Sequence, residues 1–221
     1  MPKTEVPEPA STPRSRKGAQ TRARLLQAAK TVFEENGFLE ARITDIAEEA
    51  GLSHGSFYHY FDSKEQIFRE VAEEQEALLT AAPDEADGAD LAQLNEWDRI
   101  LHANRIYLQR YRENGKIMGV IEEVSRYDQQ VNDARMNRQK SFADRAERAI
   151  RRLQDDGAAD TRIQPDIAAL ALGSMVARVA ELWLVQHWGD YELDNVAEQV
   201  TLLWANAIQL DVEAAAKSRP R

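Results

Sequence analysis

One glycine between two short apolar patterns constrains this chain more than any other feature. Residues 42–70 read RITDIAEEAGLSHGSFYHYFDSKEQIFRE. Residues 45–50 are predicted as a short helix, opened by Thr44, whose hydroxyl suits the capping of free backbone donors. Gly51 supplies the turn, because glycine tolerates positive φ without a steric penalty. Ser53 is placed to cap a second helix running to about Tyr60. Two short helices joined this way form a helix-turn-helix, and the second has the right size to enter a DNA major groove.

The rest of the chain also reads as helix. Leu25, Ala28, Ala29, Val32 and Phe33 form a stripe at helical spacing, and Gly37 ends it. Ser63-Lys64-Glu65-Gln66 has the pattern of a capping box and starts a helix to about Thr80, which links two domains. Residues 81–90, AAPDEADGAD, read as a loop. Helices are then expected over 91–114, 116–125, 128–154, 165–188 and 193–216, with Pro165 in a first turn. Val, Ile and Thr never alternate with polar residues over a useful length, so no strand competes. The fold class is all-α.

The segments Ile43-Thr44-Asp45-Ile46-Ala47, Ala50-Gly51-Leu52-Ser53, Gly55-Ser56-Phe57-Tyr58-His59-Tyr60-Phe61 and Ser63-Lys64-Glu65 resemble the DNA-binding domain of the TetR family. The stretch from Arg24 through Phe33 to Gly37-Phe38 is similar to that domain's first helix. The detailed resemblance covers roughly residues 20–75, and beyond them only length and helical layout agree. It implies a dimeric, two-domain transcriptional regulator, often a repressor released by a small molecule. The expected organisation is a disordered arm at 1–19, a helix-turn-helix DNA-binding domain at 20–75, and a helical effector-binding and dimerisation domain at 76–221.

Charge at first argues against DNA. The chain carries a net −10. The basic excess is confined to residues 1–24, at +4, while 25–71 carry −5. Nonspecific affinity is therefore expected to be modest, since it follows the cations that reach phosphate. Binding should rest on a few placed contacts, doubled in a dimer. Residues 1–19 hold four prolines among polar residues and are expected to be disordered. Their Arg14, Arg16 and Lys17 suit an arm along DNA, or only a solubilising tail.

The candidate DNA contacts are His54, Gly55, Ser56, Tyr58 and His59 on the reading helix, with Ser53 at its start. Thr44 and Lys64 stand at helix starts suited to phosphate, and Arg42 precedes one of them. Each taken alone is equally a surface polar residue or a cap.

The helix over 167–188 is apolar on nearly all sides and must be buried on several of them. With the last helix, where Val196, Val200, Leu203, Ala207 and Leu210 are read as one face, it is expected to pair with its copy as a four-helix homodimer interface. The alternative is that both helices fill the monomer core.

A ligand pocket is expected from Trp97, Asn104, Tyr107, Met118, Glu122, Met175, Arg178 and Trp183, with Met136 nearby. Aromatic and methionine side chains suit an apolar cavity, although the same residues also make ordinary core. Arg178 and Glu181 need partners, being charges on an apolar helix. The implied effector is a small hydrophobic molecule with one polar end.

Other chemistry finds no footing. The chain has no cysteine. Its four histidines, His54, His59, His102 and His187, lack paired metal spacing, and no glycine-rich phosphate loop occurs. Neither a cofactor nor a metal is expected. Without a signal-peptide pattern or an apolar run of membrane-spanning length, a cytoplasmic protein with no membrane partner is expected. The leading expectation is a palindrome-binding regulator rather than an enzyme. The alternative is a helical carrier or enzyme with an incidental helix-turn-helix.

Overall fold

The computed structural model describes residues 16–81 and 94–211. Nine helices and no strand occur among the described residues. They are α1 (Arg16–Glu40), α2 (Ile43–Glu49), α3 (His54–Phe57), α4 (Lys64–Thr80), α5 (Glu96–Glu113), α6 (Gly115–Val124), α7 (Gln129–Asp155), α8 (Pro165–Leu184) and α9 (Leu193–Ala207). The expected loop at 81–90, all but its first residue, lies outside the described residues, as does the arm up to residue 15. Residues 16–19, expected in that arm, are instead the first turn of α1.

The chain divides into two compact units. One comprises residues up to Glu74 together with Val120–Val131, the other Gln75–Gly119 and the residues from Asn132 onward. The division falls inside α4, α6 and α7 rather than in a loop. Residues 120–131 therefore belong with the helix-turn-helix, a grouping outside the expected organisation.

The first unit closes on aromatic rings. Phe33, Phe57, Phe61 and Phe68 are almost wholly buried. Phe68 meets Phe33 edge-on at 4.9 Å and Phe38 at 4.9 Å, within the range where such pairs add to plain burial. Gly37, at φ 70° and ψ 176°, breaks the helical path of α1 and turns Phe38 back onto this cluster. Gly51, at φ 64°, makes the turn between α2 and α3. The Ser63 side chain accepts from the Gln66 amide at 3.1 Å. The return bond of the expected capping box lands one residue early, on the Asp62 amide at 2.5 Å.

In the second unit, Ile150, Leu153, Ala158, Ala169, Leu172, Trp204 and Ile208 form a buried cluster. Asn104 on α5 donates to the Thr201 hydroxyl of α9 at 2.9 Å, fastening two helices that pack along one another. The Tyr107 hydroxyl accepts from Arg138 at 2.7 Å, and Arg138 is ion-paired with Glu76, both almost fully buried.

Two expectations about α8 and α9 are corrected. Against the expectation that no run is of membrane-spanning length, α8 is by length and composition apolar enough to cross a membrane; it packs within the second unit and buries one stripe, Ala169, Leu172, Val176, Ala180 and Trp183, rather than most of its sides. Its Ile167 and Leu170 remain exposed. On α9 the inward face is Leu193, Val196, Ala197, Val200, Thr201, Trp204 and Ala205, whereas Leu203 faces outward with Leu202. A seven-residue step from Val196 to Leu203 drifts about 20° around a straight helix, and the side chain at 203 falls beyond the edge of the buried stripe.

Candidate nucleic-acid interface and effector cleft

The reading helix is short and firmly anchored. Ser53 caps α3, its hydroxyl accepting from the Ser56 amide at 3.2 Å. The helical path then continues through backbone bonds from Tyr60 and Phe61 to the Phe57 carbonyl, at 2.9 and 3.1 Å. Phe57 and Phe61 are fully buried, and this fixes the opposite face outward. That face carries Ser53, His54, Gly55, Tyr58 and His59, all exposed. The His54 and Tyr58 rings meet edge-on at 5.3 Å.

Gly55 has no structural reason to be glycine. A Cβ there would meet nothing within 4 Å, and its φ is not in the left-handed region. Glycine in a helix costs up to about 1 kcal/mol relative to alanine. The bare backbone at Gly55 is exposed on the outward face of α3.

Ser56 and Lys64 are engaged within the domain itself, and the cap expected of Thr44 is not formed. The Ser56 hydroxyl sits 2.7 Å from that of Ser53 and is half-buried, so it stabilises the helix start. The N-cap of α2 is Arg42, through its backbone, and no side chain caps this helix. Thr44 lies inside the first turn, its hydroxyl donating to Asp45 at 3.2 Å. Thr44 and Arg42 are both exposed. Lys64 changes most. Its ammonium donates to the carbonyls of Phe38 (2.7 Å), Leu39 (3.1 Å) and Ala41 (2.9 Å) and lies 4.7 Å from the Phe38 ring centroid. An ammonium has three protons, and all three are engaged in tying α1 to the start of α4. Lys64 builds the domain rather than offering a free charge to phosphate.

Within the same unit, Arg69 of α4 reaches Asp128 at 2.9 Å. The other oxygen of Asp128 caps α7 through the amides of Gln130 (3.0 Å) and Val131 (3.2 Å). Burial pushes this carboxyl upward, but Arg69 and the two amides outweigh it and hold the pKa below the usual carboxylate value.

The second unit contains a cleft of about 580 Å³, within the size range of small-molecule sites. It is bounded by the end of α4, by α5, α7 and α8, and by Trp204. Of the expected pocket residues it takes Asn104 and Tyr107, together with Met136. Met118 is fully buried core. Trp183 is buried with its ring 6.4 Å from Tyr191. Met175 packs against the Ile150–Trp204 cluster. Trp97 and Glu122 do not line the cleft. Arg178 is largely exposed and pairs with Glu181 at 2.5 Å, so it is neither buried nor in the wall. The walls are instead Ile100, Ile106, Phe142 and Val176, hollowed by Ala103, Ala143, Ala146, Ala149, Ala169, Gly173 and Ala177. None of these was expected. The available signal was the run of small residues on α7 and α8.

Comparison with known proteins agrees with the amino-terminal geometry. Residues 25–71 match the family described as bacterial regulatory proteins, tetR family. Over 55 residues the chain is 47% identical to an uncharacterized HTH-type transcriptional regulator, YdgC, of Bacillus subtilis, covering 25% of this chain and 28% of that protein. Over 66 residues it is 44% identical to the HTH-type transcriptional repressor KstR2 of Mycolicibacterium smegmatis, covering 30% of each. These matches span less than a third of the curated relatives. Solved structures extend the likeness as fold. The fatty acid degradation regulator FadR of Bacillus halodurans superposes with a TM-score of 0.68 at 14% identity, covering 86% of this chain and 97% of that one. FadR of Bacillus subtilis, solved in complex with stearoyl-CoA, gives 0.67 at 16% identity, covering 84% and 98%. The chain carries a TetR-family helix-turn-helix domain, and its remaining helices share the fold of solved TetR-family regulators.

Proposed function

We propose that this protein is a transcriptional repressor that binds a palindromic DNA site as a homodimer and is released by a small effector in the cleft. The observation that carries this reading is the α3 face: exposed His54, Gly55, Tyr58 and His59 on a base fixed by buried Phe57 and Phe61. Arg42 and Thr44 stand ready for the phosphate backbone; Lys64 acts indirectly. Exposed Ile167 and Leu170 on α8, with Leu202 and Leu203 on α9, supply an apolar surface suited to a second copy. Residues 20–75 form the reading head in this scheme, and the helices beyond serve dimerisation and the effector. An apolar cleft in a fold whose Bacillus subtilis member was solved with stearoyl-CoA favours an effector with an apolar chain. Binding would favour the conformation that grips DNA poorly, by the difference in effector affinity between the two states.

The test is selection from a random duplex library with the full chain, followed by anisotropy titration on the recovered sequence. A palindromic consensus is expected, and Tyr58→Ala should lose roughly 1–3 kcal/mol of binding. Leu203→Glu should yield monomers in light scattering and weaken DNA binding with it. Recovery of no sequence preference, or a monomeric unmodified protein at micromolar concentration, would overturn the reading.

A further inference from the structure

Cations dominate the polar groups of the cleft. Among the described residues, Arg99, Arg110, Arg138, Lys140, Arg145 and Arg152 line it against a single carboxylate, Glu96. Glu96 serves both Arg152, at 3.0 Å, and Arg99, at 3.7 Å. Arg138 is satisfied by Glu76 and Tyr107. Arg145 is placed differently. It is half-buried, its guanidinium lies 4.8 Å from the Phe142 ring centroid, and it donates to the Thr80 carbonyl at 2.9 Å. Among the described residues it forms no ion pair with a carboxylate. Burial, and then the neighbouring charge of Arg148, press its pKa downward.

The partner Arg145 does have is a weak one. Thr80 ends α4, and the last carbonyls of a helix carry about half a negative charge between them. A carboxylate or phosphate oxygen is the stronger acceptor, and the planar guanidinium can hold it through two parallel bonds. The rest of the cleft wall is largely apolar, and Gly173 leaves open space in it, since a Cβ on it would meet nothing within 4 Å.

We propose that the effector is an amphiphilic anion: a carboxylate or phosphate head held by Arg145, and an apolar chain along Ile100, Phe142, Gly173 and Val176. This rests on the reading that the cleft takes an effector. On binding, the head group replaces the Thr80 carbonyl as the acceptor of the Arg145 bond. Exposed Lys140, on the same helix, adds to the positive potential at the cleft.

The experiment uses the full chain without DNA. Decanoate, decyl phosphate, decanol and decyltrimethylammonium, each below its micelle concentration, are titrated by calorimetry. Both anions are expected to bind about tenfold or more tightly than the alcohol, as a charged hydrogen bond implies, with the cation weakest. Which anion binds better distinguishes a carboxylate from a phosphate ligand. Arg145→Gln should bring the anions down to the level of the alcohol, and Arg145→Lys should restore part of the preference. Gly173→Phe, whose ring enters the open space, should weaken all four probes. Equal affinity for the four head groups, no binding of any probe, or an anion preference that survives in Arg145→Gln overturns the proposal. The head-group series on the unmodified chain decides even where a variant fails to fold. Because DNA is absent, its outcome is independent of whether the α3 face binds an operator.

Discussion

The helix-turn-helix unit and the cleft unit use side-chain volume in opposite ways. In the first, large rings meet: Phe33, Phe38 and Phe68 touch one another, and Phe57 and Phe61 fill the space under α3. In the second, alanines and a glycine face one another across α5, α7 and α8 and leave about 580 Å³ unfilled. A domain that must present one rigid surface gains from close packing. A domain that must admit a ligand has to forgo part of it. Small residues on converging helices are thus ambiguous in a sequence, since they permit either close contact or a void.

The largest expected effect probes the filled region. Phe68 is almost fully buried and meets two other rings. Phe68→Ala should destabilise the protein by about 3–5 kcal/mol in urea unfolding, through lost transfer free energy and the cavity left behind. A cost near 1 kcal/mol would mean that this core relaxes freely, and the contrast with the cleft would fail.

That contrast also decides how much was legible in the sequence. The turn at Gly51, the Ser53 cap, the break in α1 at Gly37 and the inward Phe57 and Phe61 were all legible, because their partners lie within a few residues. Lys64 was misread because its three acceptors, 23 to 26 residues earlier, converge only after α1 turns at Gly37. The cleft was least legible. Large soft side chains such as Met118, Met175 and Trp183 suggest walls in a sequence, yet such groups fill space; a hollow forms where they are missing. Asn104 and Tyr107 were found, but Arg145 and Gly173 gain meaning only when α4, α5, α7 and α8 come together.

A second test compares electrostatic with apolar fastening in the first unit. Asp128 accepts from Arg69 and caps α7. Burial raises its pKa, and the Arg69 and amide bonds lower it by more. A depressed folded value means that the stabilisation is complete above the unfolded carboxylate value of about 3.9 and disappears as pH falls through the folded one. Asparagine caps a helix about as well as aspartate, so Asp128→Asn isolates the charge. It should cost roughly 1–2 kcal/mol at neutral pH, and the gap from the unmodified chain should close below about pH 4. A gap that persists at acid pH would assign the effect to packing.

The smallest effect is the most direct probe of the hollow. Gly173 sits within α8, and a Cβ there would meet nothing within 4 Å. Replacing glycine by alanine inside a helix removes backbone entropy from the unfolded chain and gains up to about 1 kcal/mol, provided that the added methyl finds room. Gly173→Ala should therefore raise the melting temperature slightly. At a close-packed helix crossing the same methyl would push neighbours apart and lower it, by about 1 kcal/mol or more. The sign of this shift separates the two meanings of a small residue on a buried helix. A destabilised Gly173→Ala would show that α8 is in tight contact at this point, and that the cleft is closed there in solution.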